Sequence, residues 1–262
     1  MSPARRTGLA ARLAGLDAEH AGSAAVEESY RVVRANLLVS LSAFEHPRVV
    51  ITSAKPGEGK TEVCAHLAVS FARAGQRVVL VDLDLRHPDA HRVLGGHNRF
   101  GVSDLLLGHR RLDETLQFLP LPPVGDQAAQ GLYFLATGPA VANPTELLGA
   151  DRASALLDEL GEQADIVLID APPVLPVADM LVLGRVVTGA VLVVEAHRTS
   201  ITEVTKARNA LTRNQTRIFG MVLNKQRRRD TGYGDIYGYG PSLGASVRPD
   251  APVNGKPVAP AG

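Results

Sequence analysis

The stretch Val49–Thr61 constrains this chain more than any other. A β-branched run, Val49–Thr52, leads into a glycine-containing loop, and a helical pattern follows the loop. From Ala54 to Thr61 the loop matches G-x-x-x-x-G-K-[ST] at every position except the first, where alanine replaces glycine. Glycines let the backbone curl so that its N–H groups converge on phosphates, and the helix N-terminus adds positive charge. The stretch therefore predicts the phosphate-binding loop of a nucleotide-binding protein, not an ordinary glycine-rich turn.

Two side chains of this loop have predicted contacts. Lys60 is expected to reach the β- and γ-phosphates, and the Thr61 hydroxyl is expected to bind Mg²⁺. Asn224 closes the last predicted strand, and its amide could hydrogen-bond a base edge, although a turn-forming role fits it nearly as well. The predicted nucleotide-binding residues are Pro56, Gly57, Glu58, Gly59, Lys60, Thr61, Glu62 and Asn224.

Strand and helix patterns alternate after Pro47, which predicts an α/β fold with a mostly parallel sheet covered by helices on both faces. Ligands of such folds bind at the carboxyl ends of the strands. The predicted strands are Arg48–Ser53, Val78–Leu83, Leu132–Ala136, Asp165–Asp170, Ala190–Glu195 and Arg217–Asn224. The predicted helices are Ala24–Leu41, Gly59–Ala74, Pro88–Leu94, Gly101–Arg110, Pro144–Gly161, Val177–Val187 and Ser200–Arg213, with a proline-rich loop near Leu119–Val124.

Composition divides the 262 residues into three parts. Residues 1–23 are expected to be loosely ordered, residues 24–225 to form the domain, and residues 226–262 to form a flexible tail. The tail holds three of the five tyrosines, spaced by glycines that leave their hydroxyls free to enter an active site. Beside a phosphotransfer site, Tyr233, Tyr237 and Tyr239 are predicted phosphate acceptors, the alternative being low-complexity sequence without such a role.

Several classes of protein and site fit this chain poorly. Its net charge of +1 gives no argument for nucleic-acid binding. The single cysteine, Cys64, can form neither an internal disulfide nor a cysteine metal cluster, which suits a reducing cytoplasm, and we expect it to be buried. Met1–Arg12 lacks the apolar core of a secretory signal, and Arg185 and Gly189 interrupt the longest apolar stretch, Met180–Val194. Any membrane attachment is therefore expected to occur through a partner.

Two of the predicted strands end in carboxylates. Asp82 and Asp84 follow the second strand, and alternation places them on one side with Arg86 if the strand persists. Asp170 ends an apolar run in the arrangement called Walker B, which would place it near Mg²⁺. Carboxylates beside a phosphate site can hold the metal and accept a proton from an attacking hydroxyl. For the first pair, the alternative is a solvated strand end with an aspartate–arginine contact.

The first predicted helix has a charged side. Glu28, Arg31 and Arg34 recur at i, i+3 and i+6 and are expected to lie together. Spacing alone allows either a solvated face with one ion pair or a patch that contacts a neighbouring subunit.

Taken together, these motifs resemble those of the bacterial tyrosine kinases, a family that works with polysaccharide export and chain-length control. The resemblance covers roughly Ala24 to Gly240. The matching motifs are Walker A at Ala54–Thr61, D-x-D-x-R at Asp82–Arg86, Walker B at Asp170–Pro173 and the oligomerisation motif E-x-x-R-x-x-R at Glu28–Arg34. The segments Phe100–Leu106 and Asn143–Leu148 are also similar to the family.

The resemblance implies an ATP- and Mg²⁺-dependent protein-tyrosine autokinase. Asp82 would be the base toward the tyrosine hydroxyl, Lys60 would stabilise the transferred phosphoryl group, and Thr61, Asp84 and Asp170 would organise Mg²⁺. Subunits would form a ring, each presenting its tail to the next active site. A separate transmembrane partner would activate the protein, placing this cytoplasmic chain at the inner face of the cell membrane.

The chain departs from the family in three places. Glu62 stands where the family usually has Thr or Ser, and its carboxylate could crowd the α-phosphate. The tyrosine cluster is sparse, and Lys55 is similar to the extra lysine of the MinD and ParA ATPases, although Pro56 replaces their glycine. Two alternatives therefore stay open: a MinD/ParA-like ATPase switch that dimerises on ATP, and a catalytically weak ring scaffold.

Overall fold

The computed structural model describes residues 24–123 and 130–226. Its helices are α1 (Ala24–Leu41), α2 (Lys60–Arg73), α3 (Ala90–Leu94), α4 (Val102–Leu106), α5 (Leu112–Thr115), α6 (Pro144–Leu147), α7 (Ala150–Gln163), α8 (Asp179–Leu183) and α9 (Ile201–Arg213). Its strands are β1 (Arg48–Ser53), β2 (Val78–Asp82), β3 (Gln117–Pro120), β4 (Gly131–Leu135), β5 (Ile166–Asp170), β6 (Gly189–Glu195) and β7 (Ile218–Asn224).

The described strands form one seven-stranded sheet in the order β3–β4–β2–β5–β1–β6–β7. All neighbours are parallel except β3 and β4. The central strands β2 and β5 are buried along their whole length, as continuous apolar runs predict for parallel strands covered on both faces. The predicted α/β fold with a mostly parallel sheet is thereby confirmed.

Alternate residues of each central strand contribute to separate apolar cores. On one face, Leu80 and Leu168 pack in the core that contains Phe71 of α2. On the opposite face, Val79 and Val167 pack in the core that contains buried leucines of α7 and α9. The two-residue repeat of the strands therefore divides the apolar side chains between the two layers of helices.

Two predicted helix ends agree with the local backbone. Gly75, just after α2, has φ +86°, a left-handed conformation that favours glycine at the end of a helix. Ser200 precedes α9, and its hydroxyl accepts the Glu203 N–H at 3.3 Å while the Glu203 carboxylate accepts the Ser200 N–H at 2.8 Å. This reciprocal capping box fixes the start of α9 at the residue where the predicted helix begins.

Other predicted elements differ from the structure. The proline-rich stretch predicted as a loop overlaps β3, an edge strand antiparallel to β4; Pro120 is tolerated there because an edge strand has no neighbour on its outer side. The single helix predicted over Pro144–Gly161 is divided into α6 and α7 because Gly149, with ψ 134°, is not helical. The helices predicted over Gly101–Arg110 and Val177–Val187 are shorter, at Val102–Leu106 and Asp179–Leu183.

Across residues 24–123 and 130–226, none of the helices has the length and apolar character that crossing a bilayer requires. Cys64 is buried, as predicted. The predicted acceptors Tyr233, Tyr237 and Tyr239 lie outside the described residues.

Candidate active site

The loop between β1 and α2 has the backbone of a phosphate cradle. Gly57 and Gly59 adopt positive φ angles of 82° and 87°, which glycine accepts without strain. A Cβ on Gly59 would also lie 2.2 Å from Nδ2 of Asn224, so a larger residue would displace that side chain from the loop. The curled loop directs the chain into α2, whose first residues are Lys60 and Thr61.

Residues at the end of β7 hold this loop by its carbonyl groups. Nδ2 of Asn224 donates to the carbonyl oxygen of Glu58 at 3.0 Å, and Nζ of Lys225 donates to that of Gly57 at 2.5 Å. Lys225 also contacts a carboxylate oxygen of Glu195 at 3.2 Å. The structure thus places Asn224 against the loop, and its role at a base edge stays a prediction.

Glu58, an unspecified position of the loop motif, has a defined structural role. Its carboxylate is buried, accepts the Lys55 N–H at 2.8 Å and accepts a hydrogen bond from the Thr199 hydroxyl. The side chain of Lys55 pairs with Glu203 at 3.0 Å. The Ser200 N–H and Lys55 lower the pKa of Glu203 to about 2. These contacts hold the loop against the start of α9. No sequence pattern pointed to Thr199, because it lies 141 residues from Glu58.

One lysine and two carboxylates meet at the carboxyl ends of β2 and β5. Nζ of Lys60 lies 2.9 Å from Oδ2 of Asp84 and 3.3 Å from Oδ1 of Asp170. The Thr61 hydroxyl donates to Oδ2 of Asp170 at 2.7 Å. Parallel strands end at the same edge of a sheet, so two carboxylates separated by more than eighty residues reach one ammonium group.

Asp82 lies beside this cluster and is fully buried. Its carboxylate accepts the N–H groups of Asp84 at 3.1 Å and Ala90 at 3.3 Å. Burial, followed by the charge of Asp170, raises the pKa of Asp82 well above its ordinary value. A raised pKa is the direction that suits a carboxylate accepting a proton near neutral pH.

Asp170 and Lys60 each shift the pKa of the other. Burial raises the pKa of Asp170 to about 6, although Lys60 opposes the shift. Burial also acts to lower the pKa of Lys60, but Asp170 and then Asp84 outweigh it, so that pKa is raised. Lys60 is therefore fully charged at neutral pH.

Strand alternation would place Arg86 on one side with Asp82 and Asp84 only if β2 continued through Arg86. β2 ends at Asp82, so the alternation does not persist. The Arg86 guanidinium instead contacts both carboxylate oxygens of Asp179 and donates to the Thr145 hydroxyl. No sequence pattern indicated either partner, because the two belong to segments 93 and 59 residues away.

The donor set fits a magnesium–nucleotide complex. Thr61, Asp84 and Asp170 offer one hydroxyl and two carboxylates, the oxygen ligands that Mg²⁺ prefers. Within residues 24–123 and 130–226, no three His, Cys, Asp or Glu side chains form a preassembled metal cage. Mg²⁺ is usually held by one or two carboxylates together with water and substrate phosphates.

Glu62 lies in the first turn of α2, and its side chain is exposed. Burial, with a smaller contribution from Glu62, raises the pKa of Tyr30 in α1 to about 12. The Tyr30 ring stacks on His66 of α2 with ring centroids 4.7 Å apart. The carboxylate of Glu62 is thus close both to the start of α2 and to α1.

The three charged residues of α1 do not share one environment. Arg31 pairs with Glu27 and Glu28 at 3.2 Å each, and all three side chains are exposed. Arg34 is half-buried and donates to the carbonyl and hydroxyl oxygens of Ser70 on α2, at 2.7 and 3.1 Å. Arg34 therefore differs from Glu28 and Arg31 in its surroundings, and the role of the three residues in an oligomer interface stays a prediction.

Several known proteins are similar to this chain. The family model that matches residues 46–232 is ParA, described as NUBPL iron-transfer P-loop NTPase. The tyrosine-protein kinase YwqD of Bacillus subtilis (strain 168) is 35% identical over 200 residues, which cover 76% of this chain and 81% of YwqD. The putative tyrosine-protein kinase CapB of Staphylococcus aureus is 31% identical over 200 residues, covering 76% of this chain and 84% of CapB. The chain belongs to the bacterial tyrosine kinase family.

A solved structure supports the same assignment. The kinase domain of the Escherichia coli tyrosine kinase ETK superposes with a TM-score of 0.71 at 29% identity, covering 87% of this kinase and 80% of that domain. The predicted family, P-loop fold and enzyme class, a protein-tyrosine kinase, are confirmed. Nucleotide binding by this kinase follows from the same matches.

Proposed function

We propose that this kinase transfers the γ-phosphoryl group of ATP to Tyr233, Tyr237 and Tyr239 of a neighbouring copy, with Mg²⁺ as cofactor. The observation that carries this proposal is the meeting of Lys60 with Asp84 and Asp170 at the mouth of the phosphate loop. Phosphoryl transfer depends mainly on positioning and electrostatic stabilisation, and this cluster offers both.

Each side chain has a proposed part in the reaction. The Asp82 carboxylate accepts the proton of the tyrosine hydroxyl as the phenolic oxygen bonds to the γ-phosphorus. The bond from that phosphorus to the β–γ bridging oxygen breaks, and ADP leaves. The Lys60 ammonium stabilises the negative charge on the transferred group. Thr61, Asp84 and Asp170 hold Mg²⁺, which neutralises phosphate charge when bound.

The proposal extends to assembly and location. The exposed Glu28 and Arg31 of α1 would contact the next subunit in a ring, so that each tail reaches a neighbouring active site. A transmembrane activator would hold the ring at the inner face of the cell membrane, where phosphorylation regulates synthesis and export of a surface polysaccharide. The support for these points is the likeness of the chain's motifs to the family.

Mass spectrometry of the tail tests this function. Purified protein is incubated with Mg²⁺ and ATP, and phosphate is mapped on Tyr233, Tyr237 and Tyr239. Transfer between copies is tested by mixing a Lys60→Met acceptor with an active chain whose three tail tyrosines are phenylalanine. The expected result is phosphate on the Lys60→Met tail in the mixture and none on that variant alone. An acceptor tail without phosphate in the mixture would contradict transfer between copies.

The ATPase switch makes a different prediction. Its support is Lys55, which has the position of the extra lysine of MinD and ParA and pairs with Glu203 of its own chain at 3.0 Å. ATP hydrolysis without any phosphotyrosine would favour the switch. A ring with neither hydrolysis nor phosphotyrosine would favour the scaffold.

A further inference from the structure

One arginine connects three segments at the carboxyl edge of the sheet. Arg86 belongs to the turn after β2, Thr145 to α6 after β4, and Asp179 to the start of α8 after β5. The Arg86 guanidinium contacts both carboxylate oxygens of Asp179, at 2.8 and 3.1 Å. It also donates to the Thr145 hydroxyl at 2.8 Å, and that hydroxyl donates to Asp179. Each member of this network therefore contacts the other two.

The network differs from an ordinary surface ion pair. Asp179 is only 1% exposed, and a two-pronged arginine–carboxylate contact fixes direction as well as distance. Burial acts to raise the pKa of Asp179, but Arg86 and Thr145 outweigh it and that pKa is lowered. Asp179 is accordingly ionised at neutral pH, and the network carries a full charge on both partners.

The network connects directly to the turn that carries Asp84. Arg86 lies two residues after Asp84, and the next N–H, that of His87, donates to Oδ1 of Asp84 at 3.0 Å. The other oxygen of Asp84 lies 2.9 Å from Nζ of Lys60. The contacts of Arg86 with α6 and α8 therefore restrain the backbone that orients the Asp84 carboxylate. In metal sites, the side chains that bind the metal are commonly oriented by hydrogen bonds from neighbouring residues.

We propose that Arg86, Thr145 and Asp179 are positioning residues that hold Asp84 in the orientation needed for Mg²⁺ of the nucleotide complex. The inference rests on the proposed function, in which Asp84 is a metal ligand. The three residues touch neither substrate nor metal; they act through the turn from Asp84 to His87.

A nucleotide-binding measurement tests the proposal without requiring phosphotransfer. A fluorescent ADP analogue is titrated into the full chain in EDTA, and Mg²⁺ is then added to find its midpoint. Arg86→Lys keeps the positive charge but loses the two-pronged contact, and we expect its Mg²⁺ midpoint to rise about tenfold. Affinity for the analogue in EDTA should stay within about twofold of the wild type, because the phosphate loop is intact.

Thr145→Val provides a milder variant that keeps the arginine–aspartate contact. It removes the hydroxyl that accepts from Arg86 and donates to Asp179, and it should raise the Mg²⁺ midpoint by about fivefold, less than Arg86→Lys because the two-pronged contact remains. In the kinase assay both variants should lower kcat at limiting Mg²⁺, and excess Mg²⁺ should restore it. The thermal midpoint of unfolding is measured for each variant, so that a loss of folding is not mistaken for a loss of positioning.

The chain offers a matched control at the opposite end of the sheet. Arg77 contacts Asp165 through Nε and Nη2 at 3.1 and 2.6 Å, and its side chain is 61% exposed. Arg77→Lys makes the same chemical change far from the site and should leave the Mg²⁺ midpoint unchanged.

Two results would overturn the inference. One is an unchanged Mg²⁺ midpoint in a folded Arg86→Lys variant, and the other is an equal loss of nucleotide affinity in EDTA and in Mg²⁺. A wild type that binds nucleotide with Mg²⁺ but never phosphorylates its tail would contradict the proposed function alone, since the binding assay needs no tyrosine acceptor.

Discussion

The cluster around Lys60 and the cluster around Arg31 contain the same kinds of charged group at similar distances. Lys60 lies 2.9 and 3.3 Å from two aspartates, and Arg31 lies 3.2 Å from each of two glutamates. The Lys60 side chain is 12% exposed, whereas that of Arg31 is 55% exposed. Water screens the second cluster, and such exposed pairs contribute about 0.2–1 kcal/mol each. In the first cluster water is largely absent, so removing one partner leaves buried charge.

The difference shows that distance alone does not decide what a charge pair does. Burial shifts pKa values at the sheet edge, raising that of Asp170 to about 6, and prepares the site for a bound cation. On α1 the same chemistry leaves both partners available to solvent or to another subunit. Four substitutions test this comparison, from the largest expected effect to the smallest.

Lys60→Met should abolish phosphotransfer and also destabilise the nucleotide-free protein. Without the ammonium group, buried carboxylates at the sheet edge lose their counter-charge. This should lower the free energy of unfolding by about 3 kcal/mol near neutral pH. The free energy of unfolding is measured in urea with and without the substitution. The loss should shrink in mildly acidic buffer because the carboxylates then take up protons. A decrease in the free energy of unfolding of less than about 1 kcal/mol near neutral pH would contradict a strong effect of burial on this cluster.

Asp170→Asn should abolish phosphotransfer yet raise stability above about pH 6 in the absence of nucleotide. The pKa of Asp170 is raised from 3.8 to about 6, so the folded state binds this proton more tightly than the unfolded state. Charged Asp170 therefore opposes folding above the folded pKa, and this cost disappears as the pH falls below the unfolded value. Thermal midpoints of both proteins are compared across this range. The prediction fails if the asparagine variant is the less stable one at neutral pH.

Glu62→Thr should tighten ATP binding by about threefold, because it removes an exposed negative charge from the first turn of α2, where phosphate is expected. Affinity is measured by calorimetry, with Glu62→Gln as the control that removes the charge but keeps the size. The two variants should behave alike if charge is the cause. Unchanged or weaker ATP affinity in Glu62→Thr would contradict the prediction.

Arg31→Ala should change the free energy of unfolding by less than about 0.5 kcal/mol, because its ion pairs are exposed. Arg34→Ala on the same helix should lower the free energy of unfolding by about 1 kcal/mol, since it removes two partly buried hydrogen bonds to Ser70. Light scattering on the same samples tests the proposed ring, which Arg31→Ala should weaken despite its small effect on folding. If the two variants lowered the free energy of unfolding equally, the predicted difference between the exposed Arg31 and the half-buried Arg34 would be contradicted.

Much of the fold and part of the site could be predicted from local sequence. The apolar run of β5, the glycines of the phosphate loop and the capping residue Ser200 each act within a few positions of themselves. The prediction for Arg86 required strand alternation to continue past Asp82, and this condition is not met because β2 ends there. The edge strand β3 was missed because its proline-containing end has the composition of a loop.

The sequence by itself determined the phosphate loop and most of the strands and helices, because hydrophobic period, glycine conformation and helix capping are local properties. The tertiary structure alone decided that Asp84 and Asp170 share Lys60, that Arg86 contacts Asp179, and that Thr199 holds Glu58. These partners come from distant segments, and the pKa shifts depend on how completely surrounding layers exclude water. Both depend on packing of the whole sheet, which no local pattern contains.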